Sequence, residues 1–449
     1  MKIKKLTLGI VAHADAGKTT LSEAMLFNAK VIRKLGKVDD KNTALDTDAV
    51  EKRRGITIYS REARLERNGV LLQFIDTPGH VDFGAEMERV LPVLDAAVLV
   101  ISGISGVENH TRTLWKLLRY YNIPAFIFVN KMDIARESRE TLFEKLKGEL
   151  SENLIDFSQE KTQIEEELAF CDDELFSLYT EKNQMPEDGV RKAFSKREFF
   201  PVLYGSALKN QGVDELMELV TDLATAKETT EEFGAYCYKV TRSGNTRLVH
   251  LKMTGGKLSV RENIGDDKVT RIRFLNGDKQ ESVTQIEAGD VAAVEGLDHV
   301  NAGDALGACD FARQPVLEPV ISYRVVPPSD VSPQMLYDDM KVFGEEDPSL
   351  SVSWQEETRE VHIKMMGQVQ QEVVVEAVKD RFGYVVTFDA GRIMYKETIT
   401  EAAEGIGHFE PLRHYAEVRL LLEPGEPGSG IEVGSECPTD ILDKNYQQQ

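Results

Sequence analysis

The sequence has few cysteines, no long apolar run and no excess of positive charge, and each lack argues against a class of protein. Four cysteines are scattered over 449 residues as Cys171, Cys237, Cys309 and Cys437, with no CxxC pair and no metal-ligand spacing. That pattern speaks against a disulfide scaffold or a structural zinc centre and for reduced thiols in a cytoplasmic protein. No stretch reaches the roughly 18 apolar residues of a membrane-crossing helix. The basic start Met1-Lys2-Ile3-Lys4-Lys5 is not followed by the apolar core of a signal peptide. With 54 basic and 76 acidic side chains the net charge is −22, which argues against a protein that coats nucleic acid non-specifically. Any such contact must be local and shape-specific, or made through basic protein partners. Neither DNA nor a membrane is expected as a partner, and a monomer is expected.

What is present is an ordinary globular balance, 41% hydrophobic and 29% charged. At about 150 residues per domain the length suggests three or so domains. Short apolar runs alternate with helical patterns over the first 225 residues. Leu6–Val11, Leu71–Asp76, Asp95–Ser102, Ala125–Asn130 and Phe200–Tyr204 read as strands; Lys18–Ala29, Glu108–Tyr121 and Val213–Leu223 read as helices. Ala63–Arg67 pairs with Leu71–Asp76 through an Asn68-Gly69 turn. This predicts a mixed, mostly parallel sheet covered on both faces. Residues 139–198 are highly charged and read as a solvated helical insertion. The polar linker Lys227–Glu232 leads to short strands separated by turn signals such as Ser243-Gly244-Asn245, Gly255-Gly256 and Asn276-Gly277-Asp278, the spacing of a small β-barrel. An α/β sandwich follows. The predicted architecture is therefore multidomain α/β: residues 1–228 a P-loop domain, 229–314 a barrel, 315–396 a ferredoxin-like sandwich, and 397–449 the incomplete start of a fourth domain, as in a truncated chain.

Five short motifs carry the chemistry. Ala12-His13-Ala14-Asp15-Ala16-Gly17-Lys18-Thr19-Thr20 lies between a strand and a helix, where backbone N–H groups form an anion site. Lys18 can reach β- and γ-phosphates, Thr19 can ligate Mg²⁺, and Gly17 permits close backbone approach. The first position holds Ala12 where a phosphate loop usually has glycine. Asp76-Thr77-Pro78-Gly79-His80 follows the next strand; Asp76 can hold a metal-bound water, the Gly79 N–H can meet a γ-phosphate, and His80 can orient the attacking water. Asn130-Lys131-Met132-Asp133 offers a carboxylate for guanine N1–H and its exocyclic amine, with the Lys131 stem against sugar and base. Ser206 and Ala207, after Gly205, can present an N–H to guanine O6. Arg54-Gly55-Ile56-Thr57 follows the irregular stretch Lys34–Lys52, which reads as a switch loop, and Thr57 supplies a second hydroxyl for Mg²⁺. In this order the motifs favour GTP and GDP over ATP. His13, His110, His250, His299 and His362 are scattered and read as structural or surface groups.

These motifs resemble those of translational GTPases of the elongation factor G group. The resemblance continues through Ala288-Gly289-Asp290 and Gly303-Asp304-Ala305-Leu306, Met366-Gly367-Gln368, Gly407-His408-Phe409-Glu410-Pro411-Leu412 and Gly425-Glu426-Pro427-Gly428-Ser429-Gly430. It implies GTP hydrolysis stimulated by the ribosome, with ribosomal RNA and proteins as partners and His80 acting once ribosomal RNA docks on it. The short segment between Asp133 and Gly205 is similar to that of the tetracycline ribosomal-protection subgroup. An elongation factor G-type translocase and a GTP/GDP-binding module without ribosomal stimulation are the alternatives. In the family the residue after His13 is usually a larger aliphatic that gates His80 together with the position of Ile56; Ala14 here implies a half-open gate.

Overall fold

The structure is a computed structural model that describes residues 3–34, 36, 49–54, 56–182, 185–244, 246–277, 279–311, 315–389, 392–393, 398–410, 416–426, 429, 431, 433–435 and 437–438. Most of the switch stretch, and Gly55 of its motif, lie outside these residues. So do Asn245 and Asp278 of the turn signals and Pro411, Leu412, Pro427, Gly428 and Gly430 of the C-terminal motifs.

Residues with continuous apolar runs form a seven-stranded sheet. Its strands are β1 (Lys4–Ala12), β2 (Arg61–Arg67), β3 (Val70–Asp76), β4 (Ala96–Ser102), β5 (Ala125–Asn130), β6 (Leu154–Asp156) and β7 (Phe200–Tyr204), in the order β2-β3-β1-β4-β5-β7-β6. Only β2 runs antiparallel, joined to β3 by Asn68-Gly69, where both residues have positive φ (51° and 74°) as the tight hairpin turn requires. Every residue of β4 and β5 is buried, the mark of strands covered on both faces. The helices of this region are α1 (Lys18–Asn28), α2 (Ala49–Arg54), α3 (Gly84–Val90), α4 (Asn109–Tyr120), α5 (Arg139–Glu149), α6 (Lys161–Ala169), α7 (Asp173–Lys182), α8 (Glu187–Ser195) and α9 (Val213–Leu223).

The charged segment 139–198 departs from its reading as a solvated insertion. It contributes β6 to the sheet edge and buries Ile155, Leu168, Leu175, Val190 and Phe194 in the main core. Its charges lie on the outer faces of short helices, which masks the apolar side in a count of composition.

Two antiparallel sheets follow. In the first, six strands run in the order Lys279–Val283, Arg271–Asn276, Val291–Glu295, Thr246–Gly255, Gly234–Ser243, Ala305–Gly307. The pair Lys257–Ser259 and Gln285–Glu287 adds Leu258 and Ile286 to the same core. Among the described residues the two outer strands of the six do not pair with each other. In the second, Ser353–Gln355, Glu360–Met365, Ile321–Val326 and Thr387–Phe388 lie side by side under α10 (Pro333–Glu346) and α11 (Gln368–Phe382). Strict alternation along Glu360–Met365 buries Val361, Ile363 and Met365 against Leu336, Met340, Val374 and Val378 of the helices.

Residues 1–392 form one compact unit and 393–449 a second. Within the first, polar contacts tie the sheets together. Lys252 Nζ donates to Thr7 Oγ1 (2.6 Å), and the Gln73 amide joins Val291 N (2.8 Å) and Gly289 O (2.8 Å). The buried Glu62 carboxylate takes the Tyr238 hydroxyl at 2.5 Å and also meets His250. The second unit holds an antiparallel hairpin of Ala403–Phe409 and Ala416–Leu422.

Candidate nucleotide-binding site

Four of the five motifs begin where a strand of the main sheet ends at its carboxyl edge. Ile10 pairs with Asp76, Ala12 with Val100, Ser102 with Asn130 and Val129 with Tyr204, so these ends lie at one level. The carboxyl edge of a parallel sheet is where open α/β folds take ligands. There the structure has a cavity of about 370 Å³. Its wall includes His13, Ala14, Asp15, Gly17, Lys18, Thr19, Thr20, Ile56, Thr57, Gly79, His80, Asn130, Lys131, Asp133 and Ser206. Of the sequence-predicted residues, Ala16, Asp76 and Ala207 stand behind the wall, fully buried.

The phosphate-loop end is built on close approach. Gly17 caps α1 at φ 91°, and a Cβ there would lie 2.2 Å from Asn130 Nδ2. Both the left-handed backbone and the lack of space demand glycine. Asn130 works as a staple: its Nδ2 donates to Ala16 O (2.9 Å) and its Oδ1 accepts from Ala207 N (2.9 Å). It thereby joins the phosphate loop to the Ser206-Ala207 loop, a role that sequence spacing does not reveal. Lys131, at φ 62°, donates Nζ to Asp15 O at 2.5 Å.

Lys18 Nζ lies 2.6 Å from Asp76 Oδ2, and Ser22 Oγ donates to Asp76 Oδ1 at 2.9 Å. Lys18 and Asp76 are almost fully buried, so each charge needs the other. Thr19 Oγ1 and Thr57 Oγ1 are 3.1 Å apart. Adjacent ligands of an octahedral Mg²⁺ at about 2.1 Å stand roughly 3.0 Å apart, so the hydroxyl pair fits two neighbouring positions of such an ion.

At the other end, Asp133 is held ionised below the usual carboxylate range, chiefly by hydrogen bonding from Ser206, with Lys209 adding to it. Lys209 Nζ stands 3.3 Å from the Asp133 carboxylate. Ile134 and Leu208 also line the cavity and are mostly exposed, at 60% and 55%. The motifs did not point to them; the available signal was an apolar residue directly after each of the two base-facing loops.

His80 Nδ1 accepts from the Asp82 N–H at 3.2 Å, and the ring sits edge-on to Phe83. His13 is 3.4 Å from Glu108 and edge-on to His110. His110 is buried with neither ring nitrogen hydrogen-bonded, and burial, with the fields of His13 and His80 added, pushes its pKa down to about 4. The unfolded chain, titrating near 6.5, then binds more protons at mildly acid pH. The neutral ring's contribution to stability is complete above about pH 6.5 and is lost progressively as pH falls toward 4. At about 1.4 kcal/mol per pH unit the loss is on the order of 3 kcal/mol. His110→Gln should flatten this slope, read as the shift in urea midpoint between pH 7 and pH 5 against the unaltered chain.

Ala14 and Ile56 face the cavity together with His80. If the small Ala14 leaves the path to His80 open, Ala14→Ile should lower basal GTP hydrolysis several-fold by excluding water. An unchanged basal rate would contradict the gate.

Residues 4–226 match the family described as Elongation factor Tu GTP binding domain, and residues 316–390 match Elongation Factor G, domain III. The chain is similar to the tetracycline resistance protein TetP of Clostridium perfringens, 30% identical over 480 residues that span 99% of this chain and 74% of the relative. It is similar to elongation factor G 2 of Syntrophus aciditrophicus (strain SB), 29% identical over 527 residues that span 98% of this chain and 77% of the relative. A solved structure from Thermus thermophilus shares the fold with a TM-score of 0.77 at 23% identity, over 94% of this chain and 73% of that one.

Proposed function

The chain belongs to the translational GTPases of the elongation factor G type, and from that membership we propose that it acts on the ribosome as a ribosomal-protection factor, releasing tetracycline at the cost of GTP. The observation that carries the finer reading is the economy of alignment. Nearly the whole chain matches TetP over 480 residues but needs 527 to match elongation factor G 2. At almost equal identity, fewer gaps separate it from the resistance protein. The short segment between Asp133 and Gly205 points the same way.

In this reading the phosphate loop His13–Thr20 takes the β- and γ-phosphates, with Lys18 moving from Asp76 toward the γ-phosphate. Thr19 and Thr57 would hold Mg²⁺, and Asp76 would hold one of its waters. The ion supplies neutralisation of the charge that develops on the phosphates. Asp133 selects guanine; the Ala207 N–H donates to Asn130 Oδ1 here and would have to leave that acceptor to meet O6. Gly79 sits against the phosphate loop, where a Cβ would stand 3.4 Å from Ala12 O, which supports its N–H as a donor to the γ-phosphate. His80 orients water. We also place domain joints near residues 228 and 314, supported by the separate apolar cores of the two antiparallel sheets. A cytoplasmic location suits a ribosomal role; among the described residues no helix is long and apolar enough to cross a membrane.

The test is addition of the protein with GTP to tetracycline-loaded ribosomes. Drug release that depends on GTP is the expected result. Translocation of messenger RNA without drug release would instead identify an elongation factor G-type translocase.

A further inference from the structure

Asp82 connects the His80 loop to a helix far along the chain. It lies in the 3-10 turn Val81–Phe83 directly after His80. Its Oδ2 accepts from Val369 N at 2.8 Å and Gln370 N at 3.3 Å, the second and third amides of α11. The residue at the cap position of α11, Gly367, has no side chain to satisfy those N–H groups. A carboxylate at a helix start meets both the orphan donors and the positive end of the helix dipole. The approach is close: a Cβ on Gly367 would lie 2.4 Å from either Asp82 oxygen. Gly367 is extended at φ −171°, open to any residue, so a side chain there would act by pushing the Asp82 carboxylate aside.

The same residue also meets His80 directly, its carboxylate Oδ1 lying 3.6 Å from Nδ1 of that ring. The Asp82 N–H donates to His80 Nδ1 at 3.2 Å. In the neutral ring this makes Nδ1 the acceptor and leaves the proton on Nε2. Phe83, next in the turn, packs with Val373 of α11 and with Val50 and Ile58. Farther along α11, Arg54 pairs with Glu372 and Glu376, each at 2.7 Å, so the helix also meets the element that precedes Thr57.

We propose that Asp82 is a positioning residue for hydrolysis: its carboxylate, seated on the N-terminus of α11, holds the turn whose N–H sets the orientation of His80. Docking of α11 thus governs where the imidazole points. The inference rests on the reading of His80 as the group that orients water.

The experiment compares the unaltered chain, Asp82→Ala, Asp82→Asn, Gly367→Ala, His80→Ala and the His80→Ala/Asp82→Ala double variant in GTP hydrolysis with ribosomes. kcat, KM and affinity for a fluorescent GDP are measured for each. Asp82→Ala and Gly367→Ala should lose roughly ten- to a hundred-fold in kcat, as expected when a reacting group is misplaced by about 1 Å. KM and GDP affinity should stay near wild type. Asp82→Asn should retain most of the rate, because an asparagine oxygen caps about as well as a carboxylate. The double variant should be no slower than His80→Ala alone. If His80→Ala is slow but Asp82→Ala and Gly367→Ala keep the wild-type kcat, the positioning role is wrong and the reading of His80 stands. Losses that multiply in full in the double variant also overturn it, since Asp82 would then act independently of His80. If His80→Ala hydrolyses GTP normally, the reading of His80 fails and this inference falls with it.

Discussion

Asp133→Asn should lower affinity for GTP by about 10²–10⁴-fold and create affinity for xanthosine triphosphate. The Asp133 carboxylate can accept from both the N1–H and the exocyclic amine of guanine. Two hydrogen bonds to a charged acceptor, at about 1.5–3 kcal/mol each, account for that range. Asparagine keeps one acceptor but turns an NH₂ toward the guanine amine, donor against donor. Xanthine has a carbonyl at that position, so the same NH₂ meets an acceptor. The Ser206 hydroxyl and Lys209 lie beside the carboxylate and hold it below the usual carboxylate range. The ion pair with Lys209 contributes little itself, since the lysine is 55% exposed. Competition of GTP and xanthosine triphosphate against a fluorescent nucleotide reads both halves. Retained GTP preference would mean that the base lies elsewhere.

His80→Ala should leave nucleotide affinity unchanged and reduce ribosome-stimulated hydrolysis by about 10²–10⁴-fold, the usual worth of a positioned side chain in proton handling. The ring borders the cavity beside Gly79, 27% exposed, with Nδ1 engaged by Asp82. That leaves Nε2 as the atom able to reach water. Single-turnover hydrolysis with saturating ribosomes measures the effect. A rate equal to wild type would remove His80 from the mechanism.

The main sheet was legible because its signals are local. A buried apolar run, a short loop and a helix start are enough to place β1 and α1 within about two residues. Four of the five motifs come together for the same reason: parallel strands in neighbouring positions end at one level, and each of the four sits at such an end. What escaped depends on contacts distant in sequence. Helix α2, six residues long, is too short to hold itself. It is kept by Val50 in an apolar cluster, by Arg53 and Arg54 on α11, and by the Glu51 carboxylate, which accepts from Ile58 N and Tyr59 N at 2.9 Å each. Its sequence read as irregular loop. The strand β6 was hidden within acidic text because three residues carry no periodicity. The staple made by Asn130 was missed since its partners, Ala16 O and Ala207 N, offer backbone atoms that no motif displays. The cap that Asp82 places on α11 spans 287 positions.

The most direct test is the rate of GTP hydrolysis by the wild-type chain with and without ribosomes, with ATP as the control substrate. GTP hydrolysis should rise by an order of magnitude or more when ribosomes are added, as transition-state stabilisation worth about 1.4 kcal/mol or more requires, and ATP should not be hydrolysed. A rate that ribosomes leave unchanged, or equal turnover of ATP, would contradict a guanine-specific GTPase that works on the ribosome.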